Sequence, residues 1–283
     1  MVLELLLNPK KAERKPWELF FLGLVYASVS FLLSYWVFRD YISIGMVALT
    51  AICSVPIIYN LFKLEEEKDE FMPKKEYWLI KEHGKALEAF TFLFLGFVVA
   101  FFIIFTALPS VTVEQVFSSQ INTIAQVKST SAASTGSLVD SVGEFIPILM
   151  NNLKILIFCF ILSFFFGAGA IFVLTWNASV VAVAIGIFVR NEVLSHISTS
   201  IAAYSQVISL GVFKYMTHGI FEVAAYFVGA LAGGILSIAI IRHEFGSDEF
   251  KKVMLDSLDI VALSIIVLFF AALVEVFVTP IIA

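Results

Sequence analysis

Residues Phe221–Ile241 read FEVAAYFVGALAGGILSIAII, a run whose one charge is Glu222, near its start. At 1.5 Å per residue a helix of this length is about 30 Å long, the thickness of the hydrocarbon core of a bilayer. The run is therefore read as a membrane span. Trp17–Phe38, Ile42–Leu61, Ala89–Leu108 and Leu153–Leu174 before it, and Ile260–Ile282 after it, have the same character. Composition agrees. The chain has 283 residues, 60% hydrophobic and 14% charged, where soluble domains carry about 25% charged. Its mean hydropathy is +0.97. The expected fold is all-α, a polytopic transmembrane helical bundle of about seven spans, one of them short or broken.

The uncertain stretch is Ala178–Phe213. Ala178–Val189 is short for a span and runs into Arg190, Asn191 and Glu192, which are costly in lipid. A second apolar run, Ile201–Phe213, follows. Two readings fit: one crossing that leaves the bilayer at Arg190, or two half-helices in a re-entrant hairpin. Basic residues favour the crossing. Lys10, Lys11, Arg14 and Lys15 precede the first span, six lysines lie in 63–85, and Arg242, Lys251 and Lys252 separate the last two spans. A cytoplasmic N-terminus with seven crossings puts these thirteen of the 18 basic residues inside, as the positive-inside rule requires. The expected location is the plasma membrane.

The chain divides into an N-terminal segment plus a two-span hairpin (1–61), a charged cytoplasmic loop (62–88) and a five-span core (89–283). Val2–Leu7 is read as lying on the inner membrane face. The run Glu65–Glu70 is read as a solvated face, and His83 and His243 as solvated. Cys53 and Cys159 are read as small buried hydrophobes. Within the core, 109–150 is an extracytoplasmic amphipathic loop. Thr112 and Gln115 have capping-box spacing, and the apolar positions from Val113 to Val127 follow a helical period. That helix should lie on the outer surface or on a partner. Ser129–Ser137 reads as a flexible linker.

Polar residues within apolar spans are hydrogen-bonders or functional groups. Asn151 and Asn152 open the fourth span, Trp176 and Asn177 close it, His218 and Gly219 open the next with Glu222 a turn later, and Glu275 lies in the last. His218 and Glu222, four apart, share a helix face. These residues form either a water-accessible pocket centred on Glu222 or a packing network. Gly167 and Gly169, and Gly229, Gly233 and Gly234 with their Gly-x-x-x-Gly spacing, allow close helix approach, within the chain or across a homodimer seam. A lone His–Glu pair has too few ligands for a metal. Neither an HExxH nor a Gly-x-Ser-x-Gly elbow occurs. No catalytic residue, metal, cofactor or nucleic-acid partner is assigned.

The ordered set Asn151-Asn152-Leu153, Phe164–Gly169, Trp176–Ser179, His218-Gly219-x-x-Glu222 and Gly229-x-x-x-Gly233-Gly234 resembles the stage II sporulation protein M family over about 89–282. The two added N-terminal spans, with Asn8-Pro9 and Lys15-Pro16-Trp17, look like its archaeal branch. The resemblance implies a multi-pass protein without established enzymatic activity. In spore formers the family member works with peptidoglycan-degrading partners during engulfment. An archaeal-type member has no such wall, so the membrane scaffold alone carries over. The expected function is a non-enzymatic scaffold organising a membrane complex, in the bilayer, as a dimer or with extracytoplasmic or membrane protein partners. The alternative is a transporter or channel with an outward-facing pocket around Glu222.

Overall fold

The computed structural model describes residues 9–71, 79–131, 138–195, 201–244 and 246–279. Val2–Leu7 and most of the 129–137 linker lie outside the described residues. The helices in chain order are α1 (Pro9–Arg14), α2 (Trp17–Val37), α3 (Ile42–Phe71), α4 (Leu79–Ala107), α5 (Ser110–Val116), α6 (Ser118–Ser131), α7 (Leu138–Phe166), α8 (Ala170–Ser195), α9 (Ile201–Arg242) and α10 (Asp248–Leu273). A π-helical turn, Val274–Val278, continues α10. Seven of these helices are long and apolar enough to cross a membrane. The chain is a multi-pass helical membrane protein. We call the end bearing α1 and Arg242 the basic end, and the other the distal end.

Exposed aromatics mark both boundaries. Trp17 is exposed at the start of α2, and Tyr35, Trp36 and Tyr41 at its finish. From Trp17 to Trp36 the helix rises about 28 Å, close to the hydrocarbon thickness, as expected of interfacial belts.

Two boundaries differ from the sequence reading. The fourth span does not run on through Leu174. It ends at Phe166, and Gly167-Ala168-Gly169 forms a tight turn into α8. Gly167 has φ of +61°, a left-handed conformation that glycine adopts without strain. A Cβ on Gly169 would sit 2.5 Å from the Leu162 carbonyl oxygen. These two glycines build a turn rather than a helix seam, and Trp176 and Asn177 lie inside α8 rather than closing the fourth span. Ala178–Val189 is then part of a full span, Ala170–Glu192, and Ile201–Phe213 belongs to α9. Among the described residues, seven helices are then candidate spans.

Packing puts α9 at the centre. Of its span, 78% is buried, against 28% for α2 and 17% for α7. α9 packs on α10, α7, α8 and α3, while α2 pairs with α4 and α3. Glycines set the closest approaches. A Cβ on Gly233 would strike the Phe160 carbonyl oxygen on α7, one on Gly229 would meet Leu156, and one on Gly234 would enter the Phe62 ring on α3. The Gly-x-x-x-Gly face is thus used within the chain. Gly23 and Gly96 cross face to face, a Cβ on Gly23 falling 2.5 Å from the Leu93 carbonyl oxygen. Phe62, Phe90, Phe94 and Phe227 join the N-terminal hairpin to the core, with ring centroids 5.6–6.0 Å apart. Cys159 is buried, but Cys53 is exposed on the outside of α3.

The amphipathic stretch is two helices. Pro109 stops α4 and precedes α5 with no side-chain cap, so Thr112 does not act as one. The chain kinks at Phe117 before α6. Val113, Val116 and Phe117 are buried, and α5 and α6 lie on α3 while α6 also packs on α8. This face therefore covers the bundle itself.

Candidate functional site

Three polar clusters are built into the bundle. The first carries the residues that sequence reasoning singled out. Asn152, buried on α7, donates from its amide nitrogen to a Glu222 carboxyl oxygen on α9. Tyr226, one turn beyond Glu222, donates to the Asn152 amide oxygen at 3.0 Å. The Glu275 carboxyl, in the π-helical turn, lies close enough to that of Glu222 for the two to interact electrostatically. Three helices thus meet on one polar chain, Tyr226–Asn152–Glu222–Glu275. π-turns recur at functional sites, because the extra residue re-aims the side chains around it. Glu222 lies about 30 Å along α9 from Arg242, at the distal end of the span.

The other residues fall elsewhere. Asn151 is exposed beside Asn152. Asn177 donates to the Val173 carbonyl of its own helix at 3.1 Å, and Trp176 packs against the core. Gly219 has nothing within 4 Å of where a Cβ would stand, so no close approach requires it to be glycine. His218 is on α9, but its side chain lies outside the described residues. Tyr226 was missed, although its spacing from Glu222 puts both on one face.

The second cluster, at the basic end, reverses the reading of Glu65–Glu70 as a solvated face at its first two residues. Glu65 and Glu66 are both wholly buried. Being adjacent on α3, they point about 100° apart. Glu65 accepts from Lys68 Nζ at 2.5 Å and meets His83 Nδ1 of α4 at 2.6 Å. Lys68 also bonds Glu13 of α1 at 2.6 Å. Glu66 binds Arg242 of α9 through one oxygen and His243 Nε2 through the other, at 2.7 Å. His83, 3% exposed, and His243 are therefore not solvated. Burial, with the Glu65 carboxylate beside it, holds the Glu13 carboxyl above its ordinary range. Only the Glu65/Lys68 spacing of three was visible in sequence; partners 18 and 177 residues away were not.

The third lies toward the distal end. Arg190 donates to the carbonyl oxygens of Phe105 at 2.6 Å, Thr106 at 3.4 Å and Leu108. It also stands 4.9 Å from the centre of the Phe105 ring. These are the carbonyls that the end of α4 leaves without intrahelical partners, where a cation also complements the helix dipole. Gln120, wholly buried on α6, accepts from Ser43 at 2.6 Å and donates to Ser179 at 3.1 Å. An apolar cavity is lined by Phe62, Phe90, Phe94, Leu174 and Phe227 among others. Among the described residues no group of His, Cys, Asp and Glu could hold a metal.

A seven-span helical bundle with a carboxyl-containing polar chain between its core helices defines a multi-pass membrane protein of the polytopic, non-barrel class. The chain belongs to the stage II sporulation protein M family, whose profile matches residues 89–280. It is similar to an uncharacterised protein of Methanocaldococcus jannaschii, 32% identical over 144 residues that cover 50% of this chain and 73% of that one. No solved structure matches it. The first two spans lie before the family region and are fastened to it by Glu66, Arg242 and His243.

Proposed function

We propose that this protein is a non-enzymatic scaffold of a plasma-membrane complex, with its N-terminus and basic end in the cytoplasm. The basic residues gathered at that end support the orientation. One observation carries the scaffold reading. α9 begins 18 residues before its span and leaves Leu210, Val212 and Phe213 exposed by 52%, 42% and 56% toward the distal end. Gly211, between them, lies against Ile185 and Phe188 of α8, and an exposed apolar patch at this margin of the bundle marks a protein contact. The occupant is an extracytoplasmic or membrane protein, or a second copy of this chain.

A photo-crosslinking residue at position 213, activated in native membranes, tests this. The expected result is one stoichiometric adduct that Leu210→Asp abolishes. Recovery of the chain alone across conditions would count against a scaffold.

The facing Glu222 and Glu275 carboxyls favour transport as a second reading, because ionisable groups inside a membrane mark ion or substrate paths. Ion flux in proteoliposomes that Glu222→Gln abolishes would replace the scaffold reading with this one.

A further inference from the structure

The short helix α1, at the basic end, has two unlike faces. Successive residues of a helix are about 100° apart. Lys10, Lys11 and Arg14, with Lys15 continuing the turn through its amide bond to the Lys11 carbonyl, fall within an arc of about 140°. All four are exposed. Ala12 and Glu13 take the remaining arc and face inward. Ala12 is buried at 7%, and Glu13 is held by Lys68, which Glu65 holds in turn. The cationic arc is thus fixed outward by a buried ionic latch on α3.

The arc also has a fixed depth. Lys15 is two residues before Trp17, which is 52% exposed at the start of the first span. Tryptophan at that position sits at the headgroup level. Lys11 and Lys15 share the Glu18 carboxylate, at 2.8 and 3.6 Å. Glu18 offsets one of the charges of Lys11, Arg14 and Lys15, so these residues together keep a net positive charge. A preformed row of cations at headgroup depth matches phosphate-bearing anionic lipid, for which each added Lys or Arg near the surface strengthens attraction severalfold.

We propose that the outward face of α1, Lys10, Lys11, Arg14 and Lys15, is a binding site for anionic phospholipid headgroups at the basic end of the bundle. The site does not depend on the scaffold reading or on which side of the membrane the basic end faces.

The test uses the full chain reconstituted in phosphatidylcholine vesicles with fluorescent phosphatidylglycerol as the probe. Energy transfer from a donor placed near α1 reads local enrichment. The wild type is expected to enrich phosphatidylglycerol over labelled phosphatidylcholine, and added salt should erode the effect, since exposed charges are screened. The variant Lys10→Gln, Lys11→Gln, Arg14→Gln, Lys15→Gln is expected to lose about tenfold of that preference. Lys251→Gln with Lys252→Gln, also at the basic end, should keep most of it. Equal enrichment of the two lipids by wild type overturns the proposal, as does an equal loss in the control variant. Displacement of the probe by inorganic phosphate at matched ionic strength would assign a free-anion site in place of a lipid one. Should the fourfold variant not fold, wild-type lipid preference and its salt dependence decide the question.

Discussion

The attachment of the first two spans to the family core is open to a direct test at Glu66. This residue is wholly buried on α3 and binds Arg242 with one oxygen and His243 with the other. Glu66→Gln removes the charge nearest Arg242 and leaves it the longer contact to Glu67, at 3.6 Å. Breaking a buried ion pair by removing one partner costs about 3–5 kcal/mol. The Arg242 side chain is one-third exposed, so water takes over part of its solvation. The expected loss is therefore smaller, about 2–3 kcal/mol. Equilibrium unfolding by titrated denaturing detergent, followed by helix signal, measures it. A double-mutant cycle with Arg242→Gln isolates the pair and should return a coupling of about 1–2 kcal/mol. Additivity of the two single changes within about 0.5 kcal/mol would refute the reasoning, because the contact would then contribute nothing of its own.

Other outcomes follow from the same geometry. Gly233→Val should destabilise by several kcal/mol, because its Cβ meets the Phe160 backbone oxygen, whereas Gly219→Ala should be neutral or gain about 0.5–1 kcal/mol in thermal-shift assays. Arg190→Ala should cost about 2–3 kcal/mol by exposing the end carbonyls of α4, and Arg190→Lys should recover only part, since an ammonium lacks the guanidinium fork. Glu13 has a folded pKa raised above 4.5, so its contribution is fully present below that pH and lost as pH rises through the raised value. Glu13→Gln should flatten the fall in stability above about pH 4.5, read as the wild-type-minus-variant difference in melting temperature against pH.

Hydropathy made the candidate spans legible because each span must satisfy its backbone internally and present apolar groups to lipid. It blurred the division between α7 and α8. Gly167-Ala168-Gly169 is itself apolar, so three turn residues merged two helices into one long hydrophobic run. The cluster at the distal end was half legible. Asn152, Glu222 and Glu275 stood out as polar groups in apolar surroundings, but which of Asn151 and Asn152 turns inward depends on the rotation of α7. The buried pair Glu65–Glu66 was misread because a run of acids usually marks a wet surface. Its counterions are Lys68 of α3 itself, His83 of α4 and Arg242 of α9, and only the folded chain brings in the last two. Arg190 looked costly in lipid for the same reason, since the carbonyls that receive it lie more than 80 residues earlier.

α9 is one uninterrupted helix of 42 residues, about 63 Å from tip to tip. It contains no proline, and glycines 229, 233 and 234 are wedged against neighbouring helices. Such a rod is a mechanical element with no proline hinge to absorb torque. A load applied at Leu210 or Phe213 is borne along its axis past Glu222 and delivered to the ionic clasp on Arg242. The two faces of the membrane are thereby linked by the stiffness of a single helix.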